Sequence, residues 1–151
     1  MKKLFLFFSL SALVLSCDKD KFETKPTLEV VGQSSDYVPY GSGFRVNLEF
    51  TDKEGDVNDS LIMVRYRMNL RNPFIANPVK FKIPKYPSIT KAEFEVNMDY
   101  FTVLTSAIDK IKIPGSVPDQ YEPDTMQIKF IVSDAKGNKS DTAIAHVIVE
   151  R

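Results

Sequence analysis

The chain has 151 residues, with 20 basic and 20 acidic side chains, one histidine, one cysteine and no tryptophan. Balanced charge argues against nucleic-acid binding, which needs a basic stripe, and a single cysteine excludes an internal disulfide or a multi-thiolate metal site. A hydrophobic content of 43% is enough to build one domain's core.

The chain opens Met1-Lys2-Lys3, runs through an apolar and small stretch over residues 4–15, and reaches Ser16-Cys17. Those twelve residues are too short to cross a hydrocarbon core of ~30 Å as a helix, which takes roughly twenty. A basic start, a short apolar core and a small residue before a cut are the marks of a secretory signal. Val14-Leu15-Ser16-Cys17 resembles the end of a bacterial lipoprotein signal peptide, with Leu15 bulkier than that pattern's small residue. The resemblance implies cleavage after residue 16, diacylglycerol on the Cys17 thiol and an acyl anchor in a membrane. An ordinary cleaved signal with a chance cysteine is the competing reading. With Cys17 acylated, the mature chain carries no free thiol.

Residues 17–26 then form a charged tether, Asp18-Lys19-Asp20-Lys21-Phe22-Glu23-Thr24-Lys25-Pro26 after the cysteine, without periodicity. Asp18-Lys19-Asp20 resembles the acid-containing segment that directs Bacteroidota lipoproteins to the cell surface. This implies display outside the outer membrane, with its periplasmic face as the alternative. Without Lys2 and Lys3, 18 basic residues face 20 acidic ones, a net charge of −2.

From residue 27 to 151 the pattern predicts an all-β domain. Phe44, Val46, Leu48 and Phe50 alternate with polar residues, as do Phe94, Val96 and Met98, and Met126, Ile128, Phe130 and Val132. In residues 62–70 the alternation assigns Ile62, Val64, Tyr66, Met68 and Leu70 inward and Met63, Arg65, Arg67 and Asn69 outward. Residues 28–31, 79–83 and 143–149 complete a set of seven strands. Residues 100–112 fit a short helix, a strand or a loop. Pro114, Pro118 and Pro123 hold an extended connection after them.

Seven short strands suggest a two-sheet antiparallel sandwich of immunoglobulin or fibronectin type. Two elements add to this: Phe50-Thr51-Asp52-Lys53-Glu54-Gly55-Asp56-Val57, and the hairpin Val132-Ser133-Asp134-Ala135-Lys136-Gly137-Asn138-Lys139-Ser140 with Gly137 or Asn138 left-handed. Their F-x-D-x-x-G-D and D-x-x-G-N-x-S patterns resemble the small Ig-like or cadherin-like domains of exported Bacteroidota proteins. The resemblance spans about half of the mature chain and implies a fold class, not an activity.

Asp52, Glu54, Asp56 and Asp59 place four carboxylates within eight residues. Ca²⁺ takes six to eight oxygens from bendable loops, and Asp134 and Asn138 on the last hairpin can complete such a shell. The spacing is not that of an EF-hand. The competing reading makes these turns merely soluble, with Asp52 and Asp134 bonding nearby backbone amides. His146, between Ile144 and Ile148 on the final strand, reads as a partly buried imidazole and not a base. No G-x-x-x-x-G-K or H-E-x-x-H is present, and the acids lie on outer faces away from any cleft suited to glycoside hydrolysis.

Loop aromatics are the remaining candidates for contact: Tyr37, Tyr40, Phe74, Tyr86, Tyr100, Phe101 and Tyr121. They can equally plug the ends of a sandwich. The loop over residues 72–78, with Phe74, and the neighbouring Tyr86 are the first places to seek a partner. The sequence therefore points to a lipid-anchored envelope protein that binds another envelope or surface protein without catalysis. An accessory glycan-binding lipoprotein is the alternative, and a hydrolase comes last.

Overall fold

The computed structural model describes residues 25–83 and 89–151, apart from the side chains of residues 58 and 59. Among the described residues nine strands run in chain order: β1 Thr27–Gln33, β2 Tyr37–Val38, β3 Phe44–Thr51, β4 Val57–Arg67, β5 Phe74–Ile75, β6 Val79–Lys82, β7 Lys91–Met98, β8 Asp124–Asp134 and β9 Ala143–Val149. The protein is all-β, in two sheets. One sheet has the order β1-β3-β7. The other runs β2-β9-β8-β4, with β5 and β6 both paired to the far side of β4. Neighbours are antiparallel except β2, which pairs parallel to β9. The seven longer strands are those the alternation predicts; β2 and β5, of two residues each, carry too little pattern to be seen.

Period-two patterning puts one face of each sheet inward. Phe44, Val46, Leu48 and Phe50 of β3 meet Met126, Ile128, Phe130 and Val132 of β8, all fully buried. Each such side chain contributes roughly 1.5–3 kcal/mol by leaving water. Ala143, Ala145, Val147 and Val149 of β9 extend the core. His146 therefore points outward and is exposed, against the expectation of a partly buried imidazole.

Strand β4 runs in the opposite phase to the one expected. Leu61, Met63, Arg65 and Arg67 face inward, while Met68 and Leu70 are exposed and Ile62, Val64 and Tyr66 are half-buried on the outer face. Residues 61–64 are apolar on both faces, so hydropathy alone does not fix their register. What fixes it is the demand for donors at one end of the core. A single π-helical turn, Tyr100–Leu104, is capped by Asp99, whose carboxylate accepts from the amides of Phe101 and Thr102. The turn leaves carbonyls unpaired at its C-terminal side. Arg65 donates to the carbonyls of Val103, Leu104 and Ser106. Arg67 donates to those of Asn72 and Asp109. The two guanidinium groups pin residues 99–109 across the end of the sheets. Farther along, residues 110–123 form an extended excursion closed by a bridge between Lys112 and Tyr121.

The strand registers define two ends. Thr27, Thr51, Val57, Lys91, Asp134 and Ala143 lie at one, and Gln33, Phe44, Arg67, Met98, Asp124 and Val149 at the other. Lys25 pairs with Asp141 at the first end, so the chain enters the domain there.

Candidate functional site

Two turns sit side by side at the entry end, and they are built alike. In Asp52-Lys53-Glu54-Gly55-Asp56 the buried Asp52 carboxylate accepts from the amides of Glu54 (3.3 Å) and Asp56 (2.8 Å). In Asp134-Ala135-Lys136-Gly137-Asn138 the buried Asp134 carboxylate accepts from the amides of Lys136 (2.9 Å) and Asn138 (2.7 Å). Each turn has glycine at its fourth place with φ near +67° and +85°, a region closed to most L-residues. Each glycine amide donates to the carbonyl of the leading aspartate, at 3.2 and 3.1 Å. Gly137, not Asn138, takes the left-handed conformation.

The turns are cross-linked. The Ala135 amide donates to the Asp56 carbonyl at 3.0 Å, and Lys136 Nζ lies 2.6 Å from Glu54 Oε2. This brings Glu54, Asp56 and Asp134 together, with one carboxylate oxygen of each within 4.8 Å of the others. Asp56 Oδ1 is buried without a hydrogen-bond partner. Burial, then the neighbouring carboxylates of Asp52, Asp134 and Glu54, push the Asp56 carboxyl above its ordinary range.

Of the six residues expected to share a cation, three converge. Asp52 accepts backbone amides with both oxygens, and Asp134, although one of the three, accepts the Lys136 and Asn138 amides with Oδ1 and Asn138 Nδ2 with Oδ2. The Asp59 side chain lies outside the described residues, as do Cys17 and Tyr86. The convergent trio has the hard oxygen chemistry that suits Ca²⁺, and the turn-forming role of Asp52 and Asp134 is present with it.

The opposite end carries the loop aromatics. Tyr40, Tyr100 and Phe101 form an edge-to-face group with centroids 4.9–5.8 Å apart. Tyr100 is buried and donates its hydroxyl to the Glu150 carbonyl, while Tyr40 and Phe101 stay exposed. Lys110 Nζ sits between the rings of Tyr40 and Tyr121, at 5.1 and 4.9 Å. Phe74 is exposed on the same end, its ring 6.0 Å from the Arg67 guanidinium carbon. Tyr100 thus acts as the expected plug, and Tyr40, Phe101 and Phe74 remain available for contact. A depression of about 450 Å³ lies beside this end against β3 and β7, with Arg45 and the turn-capping Asp99 in its lining.

No protein-family model matches the chain, and no curated protein matches it. Among solved structures, the sporulation control protein Spo0M of Bacillus subtilis is similar with a TM-score of 0.50 and 9% identity, over 84% of this chain and 50% of that one. The β-glucosidase EmGH1 of Erythrobacter marinus reaches 0.49 at 9% identity, over 83% and 15%. The alkylpurine DNA glycosylase AlkC of Pseudomonas fluorescens, bound to DNA, reaches 0.47 at 5% identity, over 85% and 31%. The chain spans half or less of the length of these proteins. The likeness to Spo0M concerns the fold alone, and the two enzymes are matched too loosely to bear on fold or function.

Proposed function

We propose that this protein is an acyl-anchored envelope lipoprotein whose Ig-like sandwich serves as a non-catalytic protein-binding module. The observation that carries the reading is the polarity of the domain. The chain enters beside Asp141 at one end, and Tyr40, Phe101 and Phe74 are exposed at the other. A lipid on Cys17 would hold the acid-turn end toward the membrane and leave the aromatic end facing away from it. The strand order β1-β3-β7 against β2-β9-β8-β4, with a short second strand parallel to the last, supports the Ig-like assignment. Tyrosine and phenylalanine are residues that interfaces favour.

The test is chemical cross-linking of intact cells carrying the full-length, tagged chain. A discrete adduct with one envelope or surface protein supports the reading. Saturable retention on a polysaccharide, lost in Tyr40→Ala and Phe101→Ala, with no protein adduct, replaces it by the glycan-binding alternative.

A second reading concerns the entry end and is favoured by the buried, unpartnered Asp56 oxygen. There Glu54, Asp56 and Asp134 would hold Ca²⁺ and stiffen the base of the domain where the tether joins it.

A further inference from the structure

The inverted phase of β4 leaves an unusual surface. Cross-strand pairing fixes which residues share the outer face of the six-stranded sheet. Ile62 lies between Lys80 and Ile131. Val64 pairs with Lys129, which in turn pairs with Ile144. Tyr66 pairs with Ile75 on one side and Gln127 on the other. Ile75, Ile144 and Ile148 are 62%, 40% and 43% exposed. Solvent faces of antiparallel sheets are normally polar, yet here aliphatic residues of β4, β5 and β9 and Ile131 of β8 lie among Gln127, Lys129 and His146.

Around the aliphatic rows of β4, β6 and β8 its charges are lysines, and Asp36 borders the far edge beside His146 and Ile148. Lys80, Lys82 and Lys129 are the charged side chains that the pairing places in these rows among the described residues, and Lys129 lies 4.3 Å over the Tyr66 ring. The outer face of the other sheet is richer in acid: Glu29, Glu49 and Glu93 stand directly opposite one another across three strands, with Lys91 2.8 Å from Glu49 and Arg45 4.0 Å from Glu95. Like charges facing each other across strands destabilise a sheet, and Lys91 offsets part of that repulsion here.

We propose that the outer face of the six-stranded sheet is the docking surface for a partner protein whose own face sets aliphatic side chains among carboxylates. This rests on the binding-module reading and names the surface and the chemistry of its partner. Charge complementarity selects the partner. Apposing this face to a second copy of itself would bring lysines onto lysines. A lipid surface takes an amphipathic helix whose apolar face sinks about 5–10 Å into the headgroup boundary, whereas Ile62, Val64 and Tyr66 are half-buried between their neighbours on a sheet. Another layer of protein side chains packs onto a pleated face about 10 Å away.

The experiment places a photoreactive amino acid, one position at a time, in the full-length chain in intact cells of the source organism. Positions Ile75 and Ile144 read the proposed face, Glu93 the opposite face and Phe101 the aromatic end. The proposal expects one adduct of defined protein mass from Ile75 and Ile144, about tenfold above Glu93, and about tenfold weaker in Lys80→Glu. Lys80 sits exposed at the sheet's edge, so that variant leaves the Lys129–Tyr66 contact in place. Arg45→Glu on the other sheet should leave the adduct unchanged. Protein adducts from Phe101 or Glu93 alone overturn the assigned face while the binding-module reading survives. An adduct of twice the chain's own mass, or of lipid, overturns the assigned partner. No adduct from any position overturns both.

Discussion

Arg67 Nη1 lies 3.4 Å from Asp124 Oδ1, and neither side chain is accessible to water. Arg151 Nε lies 3.1 Å from the other Asp124 oxygen, near enough to pair although not aligned as a hydrogen bond. One carboxylate thus serves two arginines beneath the residues 99–109 that Arg65, Arg67 and Arg151 hold by their carbonyls. Burial pushes the Asp124 carboxyl up, against the pull of Arg151 and Arg67.

Asp124→Ala leaves two buried cations without their counter-charge. Breaking a buried pair on one side costs about 3–5 kcal/mol. Urea unfolding should show a loss of that order, and limited proteolysis should cut within residues 99–123 first. Glu122→Ala removes one of two partners of Arg71, which still donates to the Lys112 carbonyl, in a pair whose side chains are 41% and 31% exposed. That change should cost about 1 kcal/mol or less.

The two aspartate-led turns should fail alike. Asp52→Ala and Asp134→Ala each strip two backbone amides of their acceptor, at about 1–3 kcal/mol apiece. Gly137→Ala meets no atom within 4 Å, so its penalty comes from φ alone, about 1–2 kcal/mol. Thermal unfolding of the three variants measures this directly.

Acid should relieve the carboxylate cluster. The Asp56 carboxyl titrates above 3.8 in the folded chain. A raised folded value means that the native state binds its proton more tightly than the unfolded chain. The relief is therefore complete below 3.8 and is lost as pH rises through the folded value. Asp56→Asn supplies the same relief at every pH. Its melting temperature should exceed the parent's at pH 7, and the difference should close as pH falls below 3.8.

Calcium should substitute for the proton. At about ten times the dissociation constant, a bound ion adds roughly 1.4 kcal/mol, or about 3–6 °C for a domain of this size. A few millimolar Ca²⁺ should raise the parent's melting temperature by that amount and leave Asp56→Asn unmoved. No rise in the parent ends the calcium reading.

The fold was legible wherever one face of a strand is apolar and the other polar, as in residues 44–50 and 126–132. It was misread at β4, where residues 61–64 are apolar on both faces and the arginines look like solvent residues. Their burial depends on carbonyls some forty residues away, and no local pattern carries that information. The D-x-x-G repeat at Asp52 and Asp134 was visible as two motifs. Their likeness as turns, and the convergence of Glu54, Asp56 and Asp134, required the strand pairing that sets Val57 opposite Asp134. The aliphatic outer face was hidden for the same reason as the arginines. Ile62, Val64 and Tyr66 pass for core until Leu61 and Met63 are seen to occupy it.

The central claim is an acyl anchor on Cys17 that holds a binding domain at the envelope. Metabolic labelling with an alkyne fatty acid, comparing the parent chain with Cys17→Ala, tests it most directly. The account expects a labelled parent chain in the membrane fraction, and an unlabelled Cys17→Ala chain released to the soluble fraction. An unlabelled parent, or label that survives Cys17→Ala, would contradict it.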